Sequence, residues 1–184
     1  VQFSLCAGME LDEEAFSALK AAVAKEAARE RAVRILTASA VSERELEKRL
    51  LQKGMLPSDA ADAVAWLKEH RFLDDAATAA QLGDSAVRKG YGRARVKNIL
   101  YEKGIPKDLW DEALARIPAM DDAIDRFLAA KLRGRTADEK TIKKTIDALL
   151  RRGFSYGEIR DALRRYEADL EDLELEETMT EELE

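Results

Sequence analysis

The stretch Ser42-Glu-Arg-Glu-Leu-Glu-Lys-Arg-Leu50-Leu-Gln-Lys-Gly54 decides how this chain is read, because its skeleton returns twice. Leu50-x-x-x-Gly54 is matched by Leu100-x-x-x-Gly104 and Leu149-x-x-x-Gly153, at spacings of 50 and 49 residues. Eight residues before each leucine stands a plausible helix start, Ser42, Gly92 and Thr141. After each glycine a small-then-aliphatic pair follows, Ala63-Val64, Ala113-Leu114 and Ala162-Leu163. Anchors held in one phase three times over mark an array, in which each unit covers the open apolar face of its neighbour. Such arrays make long surfaces suited to macromolecular partners.

Local chemistry explains the skeleton. Ser42 and Glu45 have the spacing of a capping box, in which each side chain satisfies the other residue's orphan N–H. Leu46, Leu50 and Leu51 share a face, and Gly54 is the expected C-terminal glycine. Pro57-Ser58 then opens another helix. The pattern predicts helices over 31–39, 43–53 and 57–70, then 74–89, 93–103 and 107–116, then 120–132, 138–152 and 156–170. The first of these continues a helical pattern that starts near Asp12, with Phe16, Leu19, Val23, Ala27 and Ile35 in phase. The alternation in Val1-Gln-Phe-Ser-Leu5 allows one short strand. The expected fold is all-α: an elongated array of three tandem three-helix repeats with an N-terminal helical extension. Its segments are 1–30 (extension), 31–73, 74–118 and 119–168 (repeats) and 169–184 (acidic tail).

Composition agrees. Of 184 residues, 46% are hydrophobic and 37% charged, with three prolines, so a packed core is attainable and general disorder is not expected. The single cysteine, Cys6, permits no intramolecular disulfide and fits a reducing compartment. No run of about 18 apolar residues exists to span a membrane. The opening residues read as the remainder of a longer N-terminus rather than a secretory signal. The expected location is the cytoplasm. Net charge is −6, but unevenly spread: −3 over 1–30, +3 over 31–120, +3 over 121–168 and −9 over 169–184. A basic body lies between acidic ends.

No catalytic constellation is present. His70 and Cys6 stand 64 residues apart with no nucleophile context, and His70 reads as a helix-end residue favoured by the dipole. Cys/His ligand sets for zinc are absent, as are phosphate-binding glycine motifs, so no cofactor and no metal are expected. Asp74-Asp75 and Asp121-Asp122 could attract a cation but read better as first-turn acidic residues. Trp66 and Trp110, at what look like comparable places in their repeats, read as packing residues.

Basic residues carry the functional signal. Five of the ten residues in Arg88-Lys89-Gly-Tyr91-Gly-Arg93-Ala-Arg95-Val-Lys97 are cationic, and Tyr91 stands between glycines that would let a partner approach the backbone. The loop leads into a helix N-terminus whose free N–H groups would favour an anion. Lys103 ends that helix. A second cluster comprises Lys131, Arg133 and Arg135, then Lys140, Lys143, Lys144, Arg151 and Arg152. These residues form the expected partner and DNA surface, suited to phosphates or an acidic protein. The tail 169–184 could compete for it.

Phe72-Leu-Asp-Asp75, Arg88-x-Gly-x-Gly-Arg93 and Leu100-x-x-Lys-Gly-Ile105 together resemble the signature of bacterial RecX regulatory proteins, and Ala32-x-x-x-Leu36 with Ser42-x-x-Glu-Leu46-x-x-x-Leu50 is similar to that family's first repeat. The likeness covers about residues 30–168. Thr78 departs from it where members usually carry an aromatic, and Ser39 where a basic residue is common. The resemblance implies a monomeric, non-enzymatic modulator, most often an inhibitor, of the RecA recombinase. Such proteins bind in the groove of the RecA–DNA filament and touch single- and double-stranded DNA, in recombination, repair and the SOS response. Two other readings compete: a helical-repeat DNA-binding protein, since three-helix units are similar to helix-turn-helix modules, and a protein-interaction scaffold. The helices 59–70, 107–116 and 156–168 are not consistently basic, which disfavours the first of these as a base reader.

Overall fold

The computed structural model describes residues 10–132 and 139–167. Among them every regular element is helical: α1 (Glu13–Ala38), α2 (Glu43–Gln52), α3 (Pro57–Glu69), α4 (Asp75–Arg88), α5 (Arg93–Glu102), a 3-10 turn (Lys107–Leu109) leading into α6 (Trp110–Ala115), α7 (Asp121–Leu132), α8 (Glu139–Arg151) and α9 (156–167). The short strand expected over 1–5 lies outside the described residues, as does the acidic tail. α1 runs unbroken from the extension into the first repeat, opened by Asp12, whose side chain accepts from the Ala15 N–H at 2.7 Å.

The three leucine–glycine skeletons are one structure made three times. Leu50, Leu100 and Leu149 are each fully buried. Four residues later the glycine is left-handed, with φ of +81°, +71° and +89° at Gly54, Gly104 and Gly153. Each glycine N–H bonds the carbonyl three residues back, and the next residue's N–H bonds that of the buried leucine, at 3.2 Å from Met55, 3.0 Å from Ile105 and 3.3 Å from Phe154. That pair of bonds is the Schellman cap, which satisfies orphan carbonyls and turns the chain. Burying each leucine stabilises by about 1.5–3 kcal/mol.

The helix starts vary more. Ser42 caps α2, its hydroxyl accepting from the Glu45 N–H at 3.1 Å. The reciprocal half of the expected capping box does not form, because Glu45 instead engages Arg49 and Lys103. Gly92 directly precedes α5. Thr141, expected as a start, lies inside α8: that helix has 13 residues against 10 in α2 and α5 and begins by Glu139. The tryptophans are also not equivalent. Trp66 is in the last turn of α3, whereas Trp110 opens α6 and donates from Nε1 to the Ile105 carbonyl at 3.0 Å.

The chain divides into two compact units, 1–81 with 100–110 and 82–99 with 111–184, so the second repeat contributes to both. In the first unit, α1 and α3 meet through Ala28, Ala32, Ala60 and Ala63, which let the backbones approach, and α2 adds Leu46 and Leu50. Lys25 pairs with Asp62 along that seam and Arg29 lies 5.2 Å from the Trp66 ring. In the second unit, Ile124, Leu128 and Leu132 of α7 pack with Leu149, Phe154, Ile159 and Ala162. Outside that core, Arg165 of α9 bridges Asp121 and Asp125 of α7.

The acidic pairs therefore have structural work. Asp74 accepts from the N–H groups of Ala76 and Ala77 at 2.8 and 3.0 Å and so caps α4. Asp75, buried, accepts from the Glu43 N–H at 2.9 Å and so caps α2 from a distance of 32 residues. Thr78 turns its hydroxyl back to the Asp74 carbonyl. His70 closes α3, its ring 4.6 Å from Trp66. No cluster of three or more metal-ligating side chains occurs among the described residues.

Candidate functional site

The basic glycine loop turns out to be a joint within the second unit. The N–H of Gly92 donates to the Arg152 carbonyl at 2.8 Å and that of Ala94 to the Gly153 carbonyl at 3.1 Å. The C-terminal carbonyls of α8 thus satisfy the N-terminal donors of α5, with the two helix dipoles favourably opposed. A Cβ on Gly92 would lie 2.4 Å from the Gly153 oxygen, and one on Gly153 would lie 2.2 Å from the Arg95 nitrogen. The expectation of free N–H groups here, open to an external anion, is corrected: the close approach that these glycines permit is of the protein's own backbone.

Two of the expected ligand-binding arginines, one in the loop and one just past α8, are committed in the same way. Arg93 donates to the Leu114 carbonyl at 3.0 Å, near the end of α6. Arg152 donates to the Lys89 carbonyl at 3.3 Å, just past α4, while its guanidinium lies 4.8 Å from the Phe127 ring. Each tends carbonyls that a helix end leaves without intrahelical partners. Tyr91 and Arg95 are half-buried. Lys131 lies over Phe127 at 5.9 Å. Arg133 and Arg135 fall outside the described residues.

The remaining cations of that unit face solvent. Arg88 and Lys89 end α4, and Lys97 lies on the exposed side of α5. On α8 the buried stripe of Thr145 and Leu149, flanked by Ile142 and Ile146, leaves Lys140, Lys143, Lys144, Asp147 and Arg151 on the opposite face. None of Arg88, Lys89, Lys97, Lys140, Lys143, Lys144 and Arg151 has an ion-pair partner among the described residues. The Arg152 contacts bring the C-terminal end of α8 against both Lys89 and Gly92.

Lys103 belongs to the first unit and to a different setting. There α2 and the end of α5 enclose a cleft of about 540 Å³, lined by Arg44, Lys48, Arg49, Tyr101 and Lys103 around Glu45. The Ser42 hydroxyl donates to the Lys103 carbonyl, and Lys103 Nζ reaches Glu45 at 3.2 Å. One Glu45 oxygen is enclosed without a partner. Tyr101 is 71% exposed beside these cations. Arg44, Lys48, Arg49 and Tyr101 were not singled out from sequence. Arg44 and Lys48 are an i,i+4 pair on the polar side of α2, a signal easily taken for an ordinary solvated face.

Electrostatic perturbations are few. Burial pushes the Asp75 carboxyl above its usual value, against the lowering effect of the Glu43 N–H. Lys68 is raised by its bond to Glu43, and Asp62 is lowered by Lys25. None of these groups is paired with a nucleophile.

Family models of RecX match all three repeats: the first three-helix domain over residues 28–67, the second over 74–114 and the third over 121–163. The regulatory protein RecX of Cronobacter sakazakii is 33% identical over 153 residues, which cover 75% of this chain and 91% of that protein. The regulatory protein RecX of Escherichia coli O1:K1 is 32% identical over 151 residues, covering 74% and 90%. In fold, the chain is similar to a crystal structure of regulatory protein RecX (TM-score 0.72, 21% identity, covering 87% of this chain and 83% of that one). It is also similar to RecX from Lactobacillus salivarius (TM-score 0.65, 18% identity, 80% and 99% covered). No described helix is long and apolar enough to cross a membrane. With three tandem three-helix domains matched in order and a relative aligned over nearly its whole length, the chain belongs to the RecX family of regulatory proteins.

Proposed function

We propose that this chain binds RecA–DNA filaments as a monomer and restrains the recombinase, in recombination and repair in the cytoplasm, by occupying a surface rather than by catalysis. The observation that carries this is the set of exposed cations on α8, on α5 and at the end of α4, none of them ion-paired among the described residues. Seven cations without internal partners attract a polyanion, and releasing the counterions of that polyanion drives association. The cleft of the first unit offers a second contact, in which Tyr101 can stack on a base while Arg44 and Lys48 meet phosphates. Several weak contacts on separate modules add to a useful affinity.

The test adds the protein to RecA on single-stranded DNA and follows ATP hydrolysis and strand exchange. Both should fall at stoichiometric protein; no change in either would overturn the proposal. The variant carrying Arg88→Glu, Lys143→Glu and Lys144→Glu should lose the effect and keep its helix content by circular dichroism. Arg93 and Arg152 are unsuitable targets, since losing them uncaps helix ends.

A further inference from the structure

We infer that the cleft between α2 and the end of α5 is a subsite for one unstacked nucleotide, its base laid on Tyr101 and its phosphate held by Arg44 and Lys48. The two walls are pinned together from within the first unit. The Ser42 hydroxyl, at the start of α2, donates to the Lys103 carbonyl, and one Glu45 oxygen holds both Arg49 and Lys103. Those two cations are thus spent on the wall itself. Arg44 and Lys48 are left over: both are exposed, and neither has an ion pair among the described residues. The Arg44 stem runs beside Gly104, where an added Cβ would meet the Arg44 Cβ and Cδ, each at 3.2 Å. Bare backbone at that point gives the stem its place against the end of α5.

Size and chemistry select the ligand. The volume of about 540 Å³ lies within the range of about 300–1,000 Å³ usual for small-ligand sites. Tyr101 lines the cleft with its side chain largely in solvent, and no other ring among the described residues stacks on it. An open aromatic face of this kind stacks on any base, while cations beside it track the phosphates. Inside a duplex the base is covered on both faces, so the ring engages only a base that has left its stack. The cleft therefore favours a single strand over a double helix. An acidic peptide would satisfy Arg44 and Lys48 but leave the Tyr101 ring unused.

This inference deepens the second contact of the proposed function and rests on it for its link to the filament. A free nucleotide carries the same base and phosphate as a strand, so both are tested. The full chain is irradiated with an oligo(dT) carrying 5-iodouracil, and the adduct is located by mass spectrometry. An adduct at Tyr101 is expected; adducts only elsewhere overturn the inference and leave the cleft to an acidic protein partner. Excess thymidine 5′-monophosphate that suppresses the Tyr101 adduct identifies a free nucleotide as an occupant, and an adduct that persists confines the subsite to a strand. Either result keeps the subsite. Anisotropy titration then compares oligo(dT) with its abasic analogue. Tyr101→Ala should weaken oligo(dT) binding by about 5- to 150-fold, the worth of one stacked base, and leave abasic binding unchanged. Tyr101→Phe should bind as the parent does. Arg44→Gln with Lys48→Gln should weaken both ligands and flatten the salt slope by about 1.4, two contacts at about 0.7 each. No loss with Tyr101→Ala, or an equal loss for both oligomers, overturns the inference. If the Tyr101 adduct forms while RecA ATP hydrolysis is unaffected by the chain, the subsite stands and the proposed function falls. If hydrolysis falls without the adduct, the proposed function stands and the subsite falls.

Discussion

Gly54, Gly104 and Gly153 share a backbone conformation but not an environment, and substitution separates the two effects. A Cβ at Gly54 would meet nothing within 4 Å, whereas one at Gly153 would collide with the backbone of Arg95. Gly54→Ala should therefore cost only the left-handed penalty, about 1–2 kcal/mol. Gly153→Ala should cost at least about 1–3 kcal/mol more through overpacking of a backbone contact that cannot yield. Urea denaturation of both variants checks this, and equal losses would mean that the α5–α8 joint is looser than described. Asp75 gives a second residue-scale prediction. Asp75→Ala strands the Glu43 N–H and should cost about 1–3 kcal/mol, whereas Asp75→Asn keeps an acceptor. The sign follows from burial: the folded pKa is raised, so the carboxyl's contribution is fully present below its unfolded value near 3.9 and is lost as pH rises through the raised folded value. The stability of Asp75→Asn relative to the parent should thus improve from about pH 3.5 to pH 7, measured by urea denaturation across that range.

At the scale of the element, α8 shows how one helix serves two purposes. Leu149 is fully buried and its neighbour Leu150 is 43% exposed. Leu149→Ala should cost about 2–5 kcal/mol, while Leu150→Ala should change stability by no more than about 0.5 kcal/mol. A thermal melt of each decides. The same 3.6-residue phase that hides Thr145 and Leu149 collects the lysines on the far side. Helix phase was legible in the sequence because it depends on neighbours three and four residues away. The caps were less so. The glycine ends were read correctly, since a left-handed residue after a buried leucine is a local need. Glu45 was assigned to Ser42 and engages Lys103, 58 residues away, instead. A carboxylate takes whichever donors the fold brings nearest, and local spacing does not contain that information.

At the scale of the molecule, binding to single-stranded DNA should carry a salt dependence set by the exposed cations. Each phosphate contact contributes about 0.7 to the slope of log K against log salt. Lys143→Glu with Lys144→Glu should flatten that slope by at least about 1.4, as measured by fluorescence titration at several salt concentrations. An unchanged slope would place the DNA contact elsewhere, with the Tyr101 cleft the next surface to test. Sequence alone determined the tandem three-helix architecture, the buried leucines, the terminating glycines and the basic body, because hydrogen bonds and periodicities within about five residues specify each of them. Tertiary structure alone decided what the basic glycine loop is for. Gly92 meets Gly153 across 61 residues, and Arg93 and Arg152 cap helices distant in sequence. Those pairings arise only when separately formed helices pack, so a cationic loop that reads as a ligand site is also the seam that joins two helix ends, and its surplus charge is presented by the helices around it.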